Sequence, residues 1–495
     1  MGERQHSGAS ERTVIMWFRS DLRTADHLAL GAAAQAAQQQ GGKLLCLYVQ
    51  NPADDRGPLQ AAALSNALFE LNQNLSGRLL VVAGDGPQMI TRLAEKSRAS
   101  EVYVSEDYTP AGGGELSDAA QSLTKVGAAL LRCGDNYAVS PGSILTGAGT
   151  HYRVFTPFKK RWLAHPWQRP VRSRPEIALL AEPHRIALAL GLKPSEILHP
   201  EAAPAQSPAT VRVGEESARE SWEQFLADRL LDYAEARDLL AEEGTSRLSG
   251  QLAHGTIHPR TLLADLADAD EAPTGRDVYA TELAWREFYA DFLAAQPQSG
   301  WQDVNPIFPH YPWDEDPELF AAWREGRTGF PVVDAAMRQL AQTGWMHNRA
   351  RMIVASFLTK DLHQPWQLGA EYFLSQLVDA DFASNQHGWQ WTAGTGTDAS
   401  PYFRIFNPYT QSRKFDPSAR YIHRWLPELR SLFPQDLFGD EGVPGSAGRQ
   451  LKRIHYGLAE GGFQPSELPE GVYYPEPIVD HSEARAESLR RYRAR

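Results

Sequence analysis

The chain has 495 residues, 42% apolar and 22% charged, enough apolar content to bury a large core and to exclude a disordered tail protein or a fibre. Lys and Arg number 49 against 61 Asp and Glu, a net charge of −12, and two cysteines, Cys46 and Cys133, exclude a disulfide framework and most zinc folds. The length predicts two to four domains at ~150 residues each. Two thiols fit a reducing compartment. No segment reaches the ~20 apolar residues that span a bilayer. Residues 1–13 lack the apolar core of a secretory signal and read as a disordered lead-in, so a cytoplasmic protein is expected.

Apolar runs rich in strand formers occur at 13–18 (TVIMWF), 43–49 (KLLCLYV), 79–83 (LLVVA) and 101–104 (EVYV). Helical patterns separate or follow them at 26–40, 59–76, 87–98 and 114–126. This alternation predicts βαβ units and a parallel, Rossmann-like sheet in an α/β domain over 13–145. Residues 146–215 are expected as a linker, because 168–215 holds seven prolines and no long periodic run. From 216 a 3.6-residue period dominates, as in RDVYATELAWREFYADFLAA, which predicts an all-α domain over 216–495. No repeat of solenoid period is visible.

Charge is uneven. Residues 224–323 hold 6 Lys+Arg against 19 Asp+Glu, a balance of −13, whereas 324–424 hold 11 against 8, a balance of +3, with four histidines. A local basic face binds phosphates even on an acidic protein, because fields are screened within ~10 Å.

Four constellations in the helical half carry chemistry. Gly244-Thr245-Ser246-Arg247-Leu248-Ser249 suits phosphate binding by backbone N–H groups, hydroxyls and the next helix N-terminus. A plain helix N-cap explains it as well. In Glu282-Leu-Ala-Trp285-Arg286, Glu282 and Arg286 are i,i+4, either a surface ion pair beside a core Trp or part of a site. In Trp345-Met-His-Asn348-Arg349-Ala-Arg351-Met352, one helix face carries Asn348, Arg351 and Met352, with Arg349 pointing elsewhere. So many polar groups beside the apolar run MIVASFL suit a helix that meets a polar ligand. In Asp379-Ala-Asp381-Phe-Ala-Ser-Asn385-Gln-His-Gly388-Trp389-Gln-Trp391, Asp381 and Asn385 are i,i+4 before a helix expected to end near Gly388. Two carboxylates and an amide there suit a heterocycle with donor and acceptor edges. A metal or a glycoside is the alternative, opposed by the lack of a completing His or Glu and by the aromatic, basic surroundings. Eight of the 13 Trp fall between 285 and 391. Core packing accounts for most of them, and electron passage or base stacking are further uses.

These residues resemble those of the DNA photolyase/cryptochrome family, and within it the class I cyclobutane pyrimidine dimer photolyases. The matching stretches are WFRSDLRTADHLAL (17–30), YRVFTPFKKRWL (152–163), GTSRLS (244–249), ELAWREFY (282–289), GRTGFPVVDAAMRQLAQTGWMHNRARM (326–352) and DADFASNQHGWQWTAGTGTDASPYFRIFNPYTQSRKFD (379–416). They span nearly the whole chain in family order. The fold implied is an α/β antenna domain, a long linker and a helical FAD-binding domain.

The resemblance implies roles residue by residue. Tyr233, Thr245, Ser246, Arg247, Leu248 and Ser249 match the segment holding the FAD phosphates and sugar. Arg286, Arg351, Asp379 and Asp381 match the lining of the flavin and its chain, and Asn385 the residue facing flavin N5. Glu282, Trp285, Asn348, Met352 and Trp391 match the pocket for the flipped dimer, where indoles repay lost stacking. Glu282 and Asn348 are shared with the flavin pocket. Arg237, Arg349, Arg404 and Lys414 match contacts to phosphates near the lesion. Trp389, Trp366 and Trp313 match the photoreduction triad.

The implied activity is repair of cyclobutane pyrimidine dimers in UV-damaged DNA, driven by light through reduced FAD (FADH⁻), with no metal. A cryptochrome-type blue-light receptor is the alternative; Asn385, the Trp285/Trp391 pair and Met352 favour repair. A single nearby histidine, His347, disfavours repair of (6-4) photoproducts. A monomer without membrane attachment or obligate protein partner is expected. For a second, antenna chromophore, a deazaflavin or flavin is favoured over a folate, because Thr109 and Trp301 stand near where folate users carry Glu and Lys. Two departures stand out. His387 replaces a small residue at the expected flavin edge, and His27 stands where many members have Asn.

Overall fold

The computed structural model describes residues 12–54, 56–171, 175–269, 272–305, 311–398, 404–433 and 445–494. The expected lead-in lies almost wholly outside them.

The N-terminal half is built on a six-stranded sheet. Its strands are β1 (Thr13–Phe18), β2 (Lys43–Gln50), β3 (Leu79–Ala83), β4 (Glu101–Val104), β5 (Ala129–Arg132) and β6 (Ile197–Leu198), in the order β5-β4-β1-β2-β3-β6. All neighbours are parallel except β6, which runs antiparallel to β3. Helices α1 (Leu28–Gln39), α2 (Pro58–Asn74), α3 (Gly86–Ser97) and α4 (Pro110–Lys125) cover it. Alternate β1 residues face opposite layers: Val14, Met16 and Phe18 pack with α1 and α2, and Ile15 and Trp17 with α3 and α4. Burial on both faces is why these strands read as unbroken apolar runs.

The region expected as a linker is partly structured. Helix α5 (Phe155–Ala164) places Phe155, Phe158 and Trp162, at helical spacing, in one core with Trp222 and Phe288 of the helical half. Beyond it come α6 (Pro183–Ala189) and β6. The linker reading missed α5 because that helix is bracketed by turn-forming residues and ends three residues before the Pro-rich stretch.

The C-terminal half is helical, with no strand among the described residues. It runs through α7 (Glu215–Asp228), α8 (Tyr233–Ala236), α9 (Ser249–Ala253), α10 (Pro259–Ala267), α11 (Pro273–Ala295), α12 (Pro317–Arg324), α13 (Pro331–Thr343) and α14 (Asn348–Ser356). It continues through α15 (Trp366–Gln376), α16 (Phe382–Ala393), α17 (Pro408–Phe415), α18 (Arg420–Trp425), α19 (Gly445–Tyr456) and α20 (His481–Arg493). No helix of the described residues is long and apolar enough to cross a membrane.

Polar clasps join the halves. Arg260 of α10 donates Nε and Nη2 to the two oxygens of Asp26 at 3.2 and 3.1 Å. The Glu215 carboxylate accepts from the Thr24 and Ala25 amides at 2.8 and 2.9 Å. His27 starts α1: its Nδ1 accepts from Leu30 N at 3.2 Å, and its Nε2 faces Asp21 Oδ2 at 3.0 Å. An imidazole thus does the capping an Asn side chain would do.

Candidate active site

Helices α11, α14 and α16, with α9 and the turn at 377–379, enclose a cavity of about 500 Å³. The local sequence explains the placement of its polar groups. Asp381 caps α16 by accepting from Ser384 N at 2.8 Å. The helix then runs past Gly388 to Ala393, where Gly394 takes the left-handed conformation (φ 89°). The expected stop near Gly388 is therefore corrected: the acids sit at the start of this helix, and Asn385, Gly388, Trp389 and Trp391 all project from its body. At α14, His347 is the cap, its Nδ1 accepting from Arg349 N at 3.1 Å. Burial pushes this imidazole down to about 4, the neutral state that capping requires.

Three ion pairs line the cavity. Arg237 Nη1 donates to Glu282 Oε1 at 2.5 Å, Arg286 Nε lies 3.4 Å from Asp381 Oδ2, and Arg351 Nη2 donates to Asp379 Oδ2 at 2.6 Å. Each carboxylate is thus engaged by a guanidinium, unlike the open carboxylate pair of a glycosidase. Two acceptors remain for an occupant. Asp379 Oδ1 is buried without a partner. The Asn385 amide spends its Nδ2 on Ala370 O (3.0 Å) and Gln386 Oε1 (2.8 Å), which leaves its oxygen free to accept.

Ser249, Glu282, Trp285, Arg286, Asn348, Arg351, Met352, Asp379, Asp381, Asn385, Trp389 and Trp391 all line this one cavity, as does Arg237. Arg349 lines it too, although helix spacing pointed it elsewhere. Asn348 begins α14, so the cavity wraps the helix end and meets Asn348, Arg349 and Arg351 of its first turn. Tyr233, Thr245, Ser246, Arg247 and Leu248 are not in the lining. Tyr233 and Leu248 are buried in the α7–α11 core, Ser246 Oγ bonds Tyr279 OH at 2.8 Å, and Arg247 stacks on Trp345 at 4.3 Å. Trp345 Nε1 in turn donates to Ser249 Oγ at 3.2 Å.

Of the four positions matched to DNA contacts, Arg237 and Arg349 line the cavity, and Arg404 and Lys414 do not. Arg349 Nη2 donates to Asp238 at 2.8 Å, and its guanidinium lies 4.2 Å from the Phe415 ring centre, which Lys414 approaches at 5.0 Å. Arg404 is exposed. Of the three tryptophans matched to the triad, Trp389 is 3% exposed and walls the cavity. Trp366 is buried and donates Nε1 to Asp303 Oδ1 at 2.7 Å. Trp313 is half-buried beside Tyr311, ring centres 4.5 Å apart.

Sequence reasoning missed Tyr289, which lines the cavity on the same face of α11 as Trp285. Its i+4 spacing from Trp285 was the available signal. Phe155 was also missed: its ring stacks on Trp285 at 3.5 Å and 9°. His387 does not line the cavity. It stacks behind Tyr289 at 5.5 Å, donates Nδ1 to Ala383 O at 2.8 Å and bonds Ser299 Oγ through Nε2 at 3.0 Å. Burial holds it down to about 4, so it is a neutral support behind the wall, outside the cavity lining. Thr109 caps α4 through Gly112 N at 3.1 Å, and Trp301 is 47% exposed against Phe382; neither supplies an acid or an amine.

The donor set fits FAD. A buried carboxylate oxygen and an amide oxygen await donors of the kind a ribityl hydroxyl or a reduced ring N–H provides, and buried acceptors left unmet are costly.

Comparison with known proteins agrees. Residues 14–176 match the family described as DNA photolyase, and 279–494 the one described as FAD binding domain of DNA photolyase. The chain is 38% identical to the deoxyribodipyrimidine photo-lyase of Synechococcus sp., over 94% of this chain and 99% of the relative. It is 36% identical to that of Escherichia coli, over 97% and 98%. A bacterial class III photolyase from Agrobacterium tumefaciens superposes with a TM-score of 0.81 at 32% identity, covering 99% of each chain. An archaeal photolyase from Sulfolobus tokodaii with two FAD molecules gives 0.76 at 27%, covering 98% of this chain and all of that one. The protein belongs to the DNA photolyase/cryptochrome family.

Proposed function

We propose that this protein is a deoxyribodipyrimidine photo-lyase: it binds FAD, takes a flipped cyclobutane pyrimidine dimer from UV-damaged DNA, and splits it with light. One observation carries the reading. A single cavity holds the unmet acceptors that suit a flavin together with two indoles, a carboxylate, an amide and a thioether that suit a pair of extruded bases.

When bound, reduced FAD supplies the light-driven electron that opens the cyclobutane ring. The chain's own residues do the rest. Arg351 and Asp379 hold each other rigid, so the free Asp379 oxygen is fixed to receive a donor from the cofactor. Asn385 offers its oxygen to a ring N–H and, as an amide, cannot release a proton there. Trp285 and Trp391 give the extruded bases stacking faces in place of those lost from the duplex. Glu282 keeps Oε2 free while Arg237 occupies Oε1, so one carboxylate oxygen reads a base edge. Arg349, Arg404 and Lys414 bear the phosphates, and Trp389, Trp366 and Trp313 lead electrons in from the surface. A second light-harvesting chromophore belongs to this reading, a deazaflavin or flavin before a folate. So do monomeric action and a cytoplasmic location with no obligate protein partner; sedimentation with and without DNA checks the monomer.

The test is direct. The purified protein is reduced anaerobically, mixed with an oligonucleotide carrying one thymine dimer and lit with blue light while thymine absorbance is followed. Recovery that needs both light and reduced flavin is expected. No recovery with reduced FAD present overturns the reading in favour of a light receptor.

A further inference from the structure

Asp379, whose Oδ1 is the buried acceptor left for the cofactor, follows a residue that packs in the other half of the molecule. The Val378 side chain is 3% exposed and lies in the core built by β1, β2, α1 and α2. Among the described buried residues of that core, it alone comes from the helical half. Leu377 is extended (ψ 124°), so the chain leaves α15 without curling and successive side chains part. Val378 enters the α/β core, while Leu377 and Asp379 line the cavity.

Three other elements hold the backbone of this turn. Gln60 of α2 donates Nε2 to Leu374 O at 2.7 Å and to Leu377 O at 2.8 Å. A side chain of the α/β half thus meets a carbonyl that the end of α15 leaves open. Its Oε1 accepts from Gly57 N at 3.0 Å, which fixes the orientation of the amide. Val378 N donates to the carbonyl of Gly344 at 2.8 Å, the left-handed residue (φ 64°) that ends α13. A Cβ on Gly344 would come within 2.7 Å of Val378 Cγ1 and 3.3 Å of Leu59 Cβ on α2. Val378 O faces His254 Nε2 at 3.2 Å. A carbonyl only accepts, so this imidazole donates, and burial, which holds it down to about 4, keeps it neutral.

We propose that Gln60 and Val378 are positioning residues for the cofactor: through them the α/β half sets the Asp379 turn, and with it the grip on FAD. Arg351 orients the Asp379 carboxylate from the cavity side, and Gln60 and Val378 fix the backbone that carries it from the far side. One rigid peptide unit joins Val378 to Asp379, so a shift of the valine in the α/β core moves the carboxylate with it. Hydrogen bonds weaken steeply as their geometry degrades, so such a shift costs a bond to the cofactor. The α/β half thereby contributes to flavin retention, whatever second chromophore it holds. The inference rests on FAD binding and not on dimer repair.

The test uses the full-length protein loaded with FAD. Gln60→Glu keeps the acceptor for Gly57 N but turns the donor into a second acceptor that faces two carbonyls. Val378→Ala withdraws the branched side chain from the α/β core. Each variant is expected to release FAD about tenfold faster on dilution, the worth of one hydrogen bond to the cofactor. Recovery of flavin fluorescence follows the release. The control is Glu215→Ala, which loosens the separate contact between the halves at Thr24 and Ala25 without touching the turn. It is expected to lower the melting temperature and to release FAD at the unsubstituted rate. If Gln60→Glu and Val378→Ala melt lower but release FAD at the unsubstituted rate, the inference is overturned, since both residues are then structural clasps only. An equal acceleration in Glu215→Ala also overturns it, because release then follows from general loosening. If the unsubstituted protein holds no FAD and takes none up, the cofactor assignment falls and the inference falls with it.

Discussion

The indole of Trp389 lies across Gly369, one helical turn from Trp366 on α15, so closely that a Cβ on that glycine would come within 2.2 Å of the ring's Cη2. A cavity-wall tryptophan is thereby seated against the helix that carries Trp366. Gly369→Ala is expected to push Trp389 off its seat and to destabilise the fold by about 1–3 kcal/mol. Thermal melting measures the second effect. Photoreduction of oxidised FAD by an external donor, expected to slow at least severalfold, measures the first.

Trp389→Phe separates electron supply from repair. Its ring also packs against Phe373 at 5.0 Å, so phenylalanine keeps most of the burial while losing the oxidisable indole. Photoreduction is expected to stop, and repair by dithionite-reduced protein to continue. Persistent photoreduction would move the electron path elsewhere.

Arg237 holds one oxygen of Glu282, and the proposed function assigns the other to a base edge. Glu282→Gln keeps the shape and removes the charge. FAD content is expected to stay, while lesion affinity falls by about 1.5–3 kcal/mol, the worth of a charged hydrogen bond. Titration of a dimer-bearing oligonucleotide gives the number, and an unchanged affinity removes Glu282 from base recognition.

Arg404 is exposed and Lys360 Nζ donates to its carbonyl, an arrangement that fixes the backbone and leaves the guanidinium outside. Arg404→Ala is expected to weaken binding to damaged duplex and to lower the salt slope by about one phosphate. Wild-type salt dependence would place this side chain away from DNA.

Glu287 predicts a pH effect on stability. Its carboxylate accepts from Ala138 N, Val139 N and Trp162 Nε1, and burial nonetheless pushes it up to about 7 from 4.5. The folded state therefore holds a proton that the unfolded chain has lost. The associated stability is fully present below about pH 4.5 and is lost as pH rises through about 7. Glu287→Gln removes this titration, so the melting temperature should vary less over that window. It should also be lower throughout, since the new amide turns a donor toward donors, at about 1–3 kcal/mol. A pH slope equal to wild type would show that Glu287 does not titrate there.

Most of the sheet was legible because β1 to β4 are buried on both faces and read as continuous apolar runs. β5 was not, since a half-exposed edge strand of four residues after Gly127 carries little pattern. β6 was not, since two residues in a Pro-rich stretch carry none. Local motifs singled out most of the cavity residues, but it was the family resemblance of those motifs that joined them, with Arg237, into one site. Gly388 misled because a glycine inside a helix looks like one that ends it, and only the left-handed Gly394 shows where the turn is made. Phe155 escaped because its role comes from a contact with Trp285, 130 positions along the chain, which no local periodicity encodes.

The antiparallel pairing of β6 with β3 has a consequence for synthesis on the ribosome. The chain completes α5, which belongs to the other half of the molecule, before it returns at 197–198 to cover the open edge of β3. A nascent chain halted near residue 145 would expose that edge to neighbouring strands. The two halves are thus interleaved in the order of their making, and neither reaches its finished form until the other has begun.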